Sequence, residues 1–148
     1  MSNTQESNLP ELLGGCMCGA IRYVLKGAPE VVYYCHCNDC KRSTGSAFHV
    51  GLVMRTDHVE IVGDTLKGYT KLSDSGNHMT RLFCSKCGSP LFTKDSAAPE
   101  NIVIKAGSLD QPEKIQPSAQ LWTIHAVYWA RINPRIKSLQ KGAAYLLH

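Results

Sequence analysis

From Ala20 onward the chain alternates short runs rich in Val, Ile, Tyr, Phe and Thr with clusters of Gly, Pro, Asn, Asp and Ser. That pattern predicts many short strands joined by turns, and so a mainly β domain. Strands are expected over residues 20–25, 30–35, 47–55, 59–62, 68–72, 78–83, 91–94 and 102–105, with one more inside 121–129. Breakers such as Gly27-Ala28-Pro29 and Ser75-Gly76-Asn77 separate them. No stretch sustains a helical period. A single helical turn is expected over 38–43, where Asn38 or Asp39 can cap a Cys-Lys-Arg segment. The polar start predicts a disordered tail over residues 1–12, leaving 13–148 as one domain with no internal repeat.

Composition narrows this picture. A length of 148 residues fits one domain able to bury its own core, and 43% hydrophobic with 19% charged residues excludes wholesale disorder. Sixteen Lys and Arg against 12 Asp and Glu give +4, but the basic residues are dispersed, so no nucleic-acid partner is expected. The longest charge-free window, 115–130, is shorter than the ~20 apolar residues of a membrane span and contains Gln, Pro, Ser and His. The first eleven residues have neither a basic start nor an apolar stretch, so no secretory signal is expected and the expected compartment is cytoplasmic.

Cysteine is the unusual component. Seven in 148 is below the ~8–10% of a disulfide scaffold, and the count is odd. They fall in three clusters: Cys16-Met17-Cys18, then Cys35-His36-Cys37-Asn38-Asp39-Cys40, then Cys84-Ser85-Lys86-Cys87. Such spacings in a reducing compartment point to metal. A redox reading of Cys84-x-x-Cys87 expects a helix after it, whereas Pro90 and the strand-like Leu91-Phe92-Thr93 follow. A closed structural zinc needs four ligands, and seven thiols divide into four and three. Clusters one and three supply two each; cluster two can wrap a second ion alone and leaves a position open, the arrangement of catalytic zinc. The first site would tie the start of the chain to its middle.

Blander readings stand beside this one. Cys16 and Cys18 can be free core thiols. Cluster two can be a second structural site completed by His36, His49 or a distant histidine. His36, between two ligands, is expected to point away from a metal, as a donor to a ligand or as a surface residue. His49, His58, His78, His125 and His148 carry no ligand spacing and read as structural. Lys41-Arg42 either meets an anion or is a solvated pair.

Three segments together resemble a known family: Gly15-Cys16-Met17-Cys18-Gly19-Ala20-Ile21-Arg22-Tyr23, Cys35-His36-Cys37-Asn38-Asp39-Cys40-Lys41-Arg42-Ser43-Thr44-Gly45 and Phe83-Cys84-Ser85-Lys86-Cys87-Gly88. They look like the glutathione-dependent formaldehyde-activating enzymes, also called the Gfa or CENP-V domain. Pro117-Ser118-Ala119-Gln120-Leu121-Trp122 and Tyr128-Trp129 resemble the family's closing segment, whereas Ile132-Asn133-Pro134-Arg135-Ile136-Lys137 replaces the acidic, Gly-containing ending of many members. The resemblance implies an Mss4-like fold of β-sheets around a structural zinc. It implies that Cys16, Cys18, Cys84 and Cys87 hold that ion, and that Cys35, Cys37 and Cys40 hold a second, more labile, catalytic zinc. It implies a carbon–sulfur lyase that joins glutathione to formaldehyde as S-(hydroxymethyl)glutathione.

The chemistry agrees with the residue types. An ion held by three thiolates accepts one more soft ligand, and a substrate thiol, whose free pKa is ~8.5, is deprotonated on coordination. The thiolate can then add to a small aldehyde. His36, Ser43, Thr44 and Ser46 are candidates, by proximity in sequence, to stabilise the oxygen that becomes charged. The alternative is a non-enzymatic zinc-stabilised binding or carrier domain; a chromatin-associated module is the weaker rival.

Overall fold

A computed structural model describes residues 10–130 and 132–142. In chain order the elements are β1 (Glu11–Gly15), β2 (Arg22–Lys26), β3 (Val31–Cys35), α1 (Asn38–Thr44), β4 (His49–Arg55), β5 (Val59–Val62), β6 (Leu66–Leu72) and β7 (His78–Cys84). Then follow β8 (Pro90–Asp95), β9 (Asn101–Lys105), β10 (Ala119–Leu121) and β11 (Lys137–Ser138), with short 3-10 turns between several of them. The chain is mainly β, as the alternation of apolar runs and breakers predicts.

Two sheets form. One has the order β1-β2-β5 and is antiparallel; the other has the order β11-β10-β3-β4-β9-β8-β7-β6. In the larger sheet β10 runs parallel to both β3 and β11, and the remaining pairs are antiparallel. Because side chains alternate along a strand, β4 sends Leu52 and Met54 to one face and Val53 to the other, and all three are buried. The first face meets Tyr23 and Leu25 of the small sheet, with Ile21 just before it, and forms the main core with Leu91, Phe92, Ile102 and Ile104. Tyr23 meets Phe92 edge-on at 5.3 Å between ring centroids, which locks the sheets together. On the opposite face a smaller cluster holds Tyr33, Cys35, Cys40, Val53, Ala119 and Leu121.

Three local expectations change. Glu11 and Leu12, placed in the tail by their polar context, pair with Lys26 and Leu25 in β1; the rest of the expected tail, 1–9, lies outside the described residues. The strand expected inside 121–129 ends at Leu121, because Trp122 takes a left-handed backbone conformation (φ 57°) and a 3-10 turn follows over Thr123–His125. The cap of α1 is Cys37, not Asn38 or Asp39. Its sulfur accepts from the Cys40 amide at 3.3 Å, and the helix ends at Gly45, which adopts the left-handed conformation of a C-terminal cap. Near the C-terminal end the chain after Lys137 runs back along β10. Leu139 donates its amide to Gln120, Gln120 Nε2 donates to Ser138 Oγ at 2.8 Å, and the Thr123 amide donates to the Leu139 carbonyl.

Candidate metal centres

The first cysteine cluster sits in the turn between β1 and β2, and the third in the turn between β7 and β8. In the first, the Cys16 amide donates to Ile21 O and the Gly19 amide to Cys16 O, a tight turn that needs Gly19 at φ +80°. In the second, the Gly88 amide donates to Cys84 O and the Cys84 amide to Ser89 O. Met17 N donates to Ser89 Oγ at 3.0 Å and so joins the two turns directly.

The sulfurs of Cys16, Cys18, Cys84 and Cys87 all lie within 4.8 Å of one another. Cys16 and Cys18 are 3.6 Å apart and Cys18 and Cys84 3.8 Å. A tetrahedron with metal–sulfur bonds of ~2.3 Å has edges of ~3.8 Å, so the four thiols fit one zinc-sized ion. Polar hydrogens point at the sulfurs: the Ile21 amide at Cys16 (3.2 Å), the Thr65 hydroxyl group within 3.3 Å of Cys84 and that of Ser89 within 3.2 Å of Cys87. The Ser89 hydroxyl and amide hold the Cys87 thiol down at about 5, and the Thr65 hydroxyl lowers Cys84. These contacts favour thiolates, the form a metal binds. The pair at 84 and 87 runs from one strand into the next, with no helix after it, so the redox geometry is missing among the described residues.

Cys35 ends β3, while Cys37 and Cys40 belong to the start of α1, and the three sulfurs also lie within 4.8 Å of one another. Among the described residues no histidine or carboxylate joins either set. Hydrogen bonds from the Cys35 and Cys40 thiols bring Cys37 down to about 2, with the Cys40 amide assisting, while the same contacts and burial push Cys35 far up. The three sulfurs fit one ion with a coordination position left over for a further ligand.

The residues around the trio differ from those that sequence proximity picked. His36 is 1% exposed, which ends its reading as a surface residue; its Nε2 pairs with Gln120 Oε1 at 2.9 Å and its Nδ1 has no partner. Ser43 and Thr44 donate their hydroxyls to the Cys40 carbonyl, at 3.2 and 2.7 Å, which removes them as donors to a substrate oxygen. Ser46 lies at the wall of a cleft of about 590 Å³ that also contains His49, Lys105, Ser108 and the Arg22–Asp110 ion pair. Lys41 is neither free nor at an anion: it donates to the His125 carbonyl at 2.6 Å and fastens α1 to the turn after β10. Lys71 reaches Asp39 at the outer end of α1.

Two side chains that carried no motif are placed at the trio instead. His49 pairs with Cys35 across β3 and β4 and is 3% exposed. Lys105, 6% exposed on β9, donates to His49 Nδ1 at 3.0 Å. Burial lowers Lys105, and burial with the Lys105 charge holds His49 well below the usual imidazole value. No spacing marks these residues in the sequence; only the pairing of β3, β4 and β9 brings them together.

Comparison with known proteins adds independent findings. The sequence model of the glutathione-dependent formaldehyde-activating enzymes matches residues 11–125. A Halomonas elongata protein, named provisionally as a glutathione-dependent formaldehyde-activating enzyme, is 28% identical over 119 residues, which are 70% of this chain and 72% of that protein. The crystal structure of a Rhodobacter sphaeroides protein superposes with a TM-score of 0.52 at 17% identity, covering 86% of this chain and 98% of the other. That likeness shows a shared fold.

Proposed function

Because the chain belongs to the glutathione-dependent formaldehyde-activating enzyme family, we propose that it adds the thiol of glutathione, or of a related small thiol, to formaldehyde or another short aldehyde. The observation that carries this reading is the trio Cys35, Cys37 and Cys40, three sulfurs within 4.8 Å with no fourth protein ligand among the described residues. In this reading Cys16, Cys18, Cys84 and Cys87 hold a structural zinc, and the trio holds a second zinc that exchanges more readily. A zinc ion at the trio would supply Lewis acidity that lowers the pKa of an incoming thiol.

The chain's own residues do the rest. Cys37 caps α1 through the Cys40 amide, so the helix fixes the spacing of two of the three sulfurs. Cys35 is set by β3, whose pairing with β10 and β4 holds it from both sides. Lys41 anchors α1 to the chain after β10, so the trio is attached to the sheet at both ends. In the product the sulfur is bonded to the former carbonyl carbon and the oxygen is protonated, which makes the reaction an S-(hydroxymethyl)glutathione synthesis of the carbon–sulfur lyase class. Seven unpaired thiols support a reducing, cytoplasmic setting.

Exchange spectroscopy on the zinc-loaded protein tests the reading. Interconversion of glutathione and formaldehyde with their adduct is expected above the spontaneous rate, and Cys37→Ser is expected to abolish the gain while the four-cysteine site stays filled. A protein that binds the thiol with no gain in rate is a carrier, and that outcome overturns the enzymatic reading.

A further inference from the structure

The sheet face that carries Cys35 also carries two cations. Tyr33 opposes Gly51 and Gly51 opposes Lys105, so Lys105 projects from the same face as Tyr33 and Cys35. One register step along, Val53 opposes Val103, Val103 opposes Thr93 and Thr93 opposes Arg81, which puts Thr93 and Arg81 on that face too. Among the described residues neither cation pairs with a carboxylate; the Lys105 ammonium meets only the imidazole of His49. Among the described residues, buried Nε of Arg81 and buried Oγ1 of Thr93 have no hydrogen-bond partner. Unfilled buried donors are uncommon in folded proteins and mark places where a partner belongs.

Lys105 lies within electrostatic reach of the cysteine trio and of Arg81: Cys40 acts on it, then Arg81 in the opposite sense, then Cys35 and Cys37, and Arg81 acts on Cys37. Three thiolates outweigh a divalent ion by one negative charge, two cations turn the balance to one positive charge, and a substrate thiolate at the ion brings it to zero. The cations and unfilled donors therefore act locally, on a negative oxygen brought close to them. Lys105 and His49 also line the 590 Å³ cleft, whose walls do not include the trio, Arg81 or Thr93.

We propose that Lys105 and Arg81, with the Thr93 hydroxyl beside Arg81, form an oxyanion subsite next to Cys35, Cys37 and Cys40. It rests on the thiol-addition reading and says what completes it. As the thiolate sulfur forms its bond to the aldehyde carbon, the electron pair of the C=O π bond moves onto oxygen, and that oxygen then takes a proton from water. The subsite holds the oxygen while it is negative, a role that calls for donors already in place. The ligand class is a thiol with an anionic oxygen a few bonds from its sulfur.

Equilibrium titration of the full zinc-loaded protein tests this with two probes. Mercaptoacetate carries a negatively charged oxygen near its sulfur, and 2-mercaptoethanol is its neutral counterpart. Wild type is expected to bind mercaptoacetate roughly tenfold more tightly, the scale of one net charge-assisted hydrogen bond. Lys105→Gln and Arg81→Gln are each expected to lose most of that preference with zinc content unchanged, and Lys105→Arg to keep it. An unchanged preference in both Gln variants overturns the subsite. If 2-mercaptoethanol binds and mercaptoacetate gains nothing in wild type, the thiol site stands and the subsite alone falls. If neither probe binds, the thiol-addition reading falls first. Should Lys105→Gln fail to fold, the half-buried Arg81 carries the test through its own variant.

Discussion

The ammonium of Lys105 donates a 3.0 Å hydrogen bond to Nδ1 of His49, and both side chains are buried. The bond fixes the imidazole proton on Nε2, so His49 is a neutral ring held beside a cation. Nitrogen NMR of labelled histidine should show one bare and one protonated ring nitrogen at His49. Burial and Lys105 place its folded pKa well below the unfolded value of ~6.5. The unfolded chain therefore binds the extra proton first: the contribution of His49 to stability is present above ~6.5 and is lost as pH falls below it. Melting temperatures of wild type and His49→Gln, compared from about pH 8 to about pH 5, should converge on the acid side.

The four-cysteine site joins turns that are far apart in sequence, and Cys84 is fully buried within it. Metal-coupled folding in small zinc domains is worth ~10–16 kcal/mol, as much as a whole domain has in reserve. Cys84→Ser should therefore fail to accumulate as a soluble protein. Recovery of soluble material with unchanged melting temperature and zinc content would refute the structural role.

At Cys37 two roles separate by substitution. Serine keeps an acceptor for the Cys40 amide and alanine does not. Both should lose the ion of the trio, while Cys37→Ala should be the less stable of the two by ~1 kcal/mol, the usual worth of a helix cap. Chemical denaturation of the two variants measures that difference. In wild type, a mild chelator should strip the three-ligand site before the four-ligand one, seen as two steps in metal release.

Gly51 lies under the ring of His49. A Cβ there would come within 2.6 Å of His49 Nε2 and of Val103 Cγ1, so the buried His49 ring or the half-buried Val103 has to shift. Gly51→Ala should cost ~1–3 kcal/mol in a urea titration, the usual range for overpacking. It should also displace the His49 ring resonances, because the ring is what the methyl group meets.

Strand positions were legible because the apolar runs and their breakers are local signals. Val59–Val62 appears as expected, and β3, β4, β7, β8 and β9 differ only at their ends. β1 was missed because Glu11 and the Gly14-Gly15 pair read as loop, and its partners lie further along the chain. β10 and β11 have three and two residues, and what makes them strands is parallel pairing, β10 to β3 and β11 to β10, which no local pattern announces. The seven thiols were legible for the opposite reason: cysteine spacing encodes turn geometry directly. Lys105, Arg81 and His49 carry no such code. Each is an ordinary strand residue until the register across β3, β4, β9, β8 and β7 sets it on the sheet face that carries Cys35.

The two cysteine sites differ in span, and proteins are made from the N-terminus onward. Cys35, Cys37 and Cys40 sit within one strand end and one helical turn, so this trio can gather while most of the chain is still being synthesised. Cys18 must wait for Cys84, 66 positions later. During that interval Cys16 and Cys18 are an orphaned pair on a nascent chain that already carries the three thiols of the trio. A ribosome that stalls between Cys40 and Cys84 thus presents a fragment with a complete local trio and an unfinished N-terminal hook.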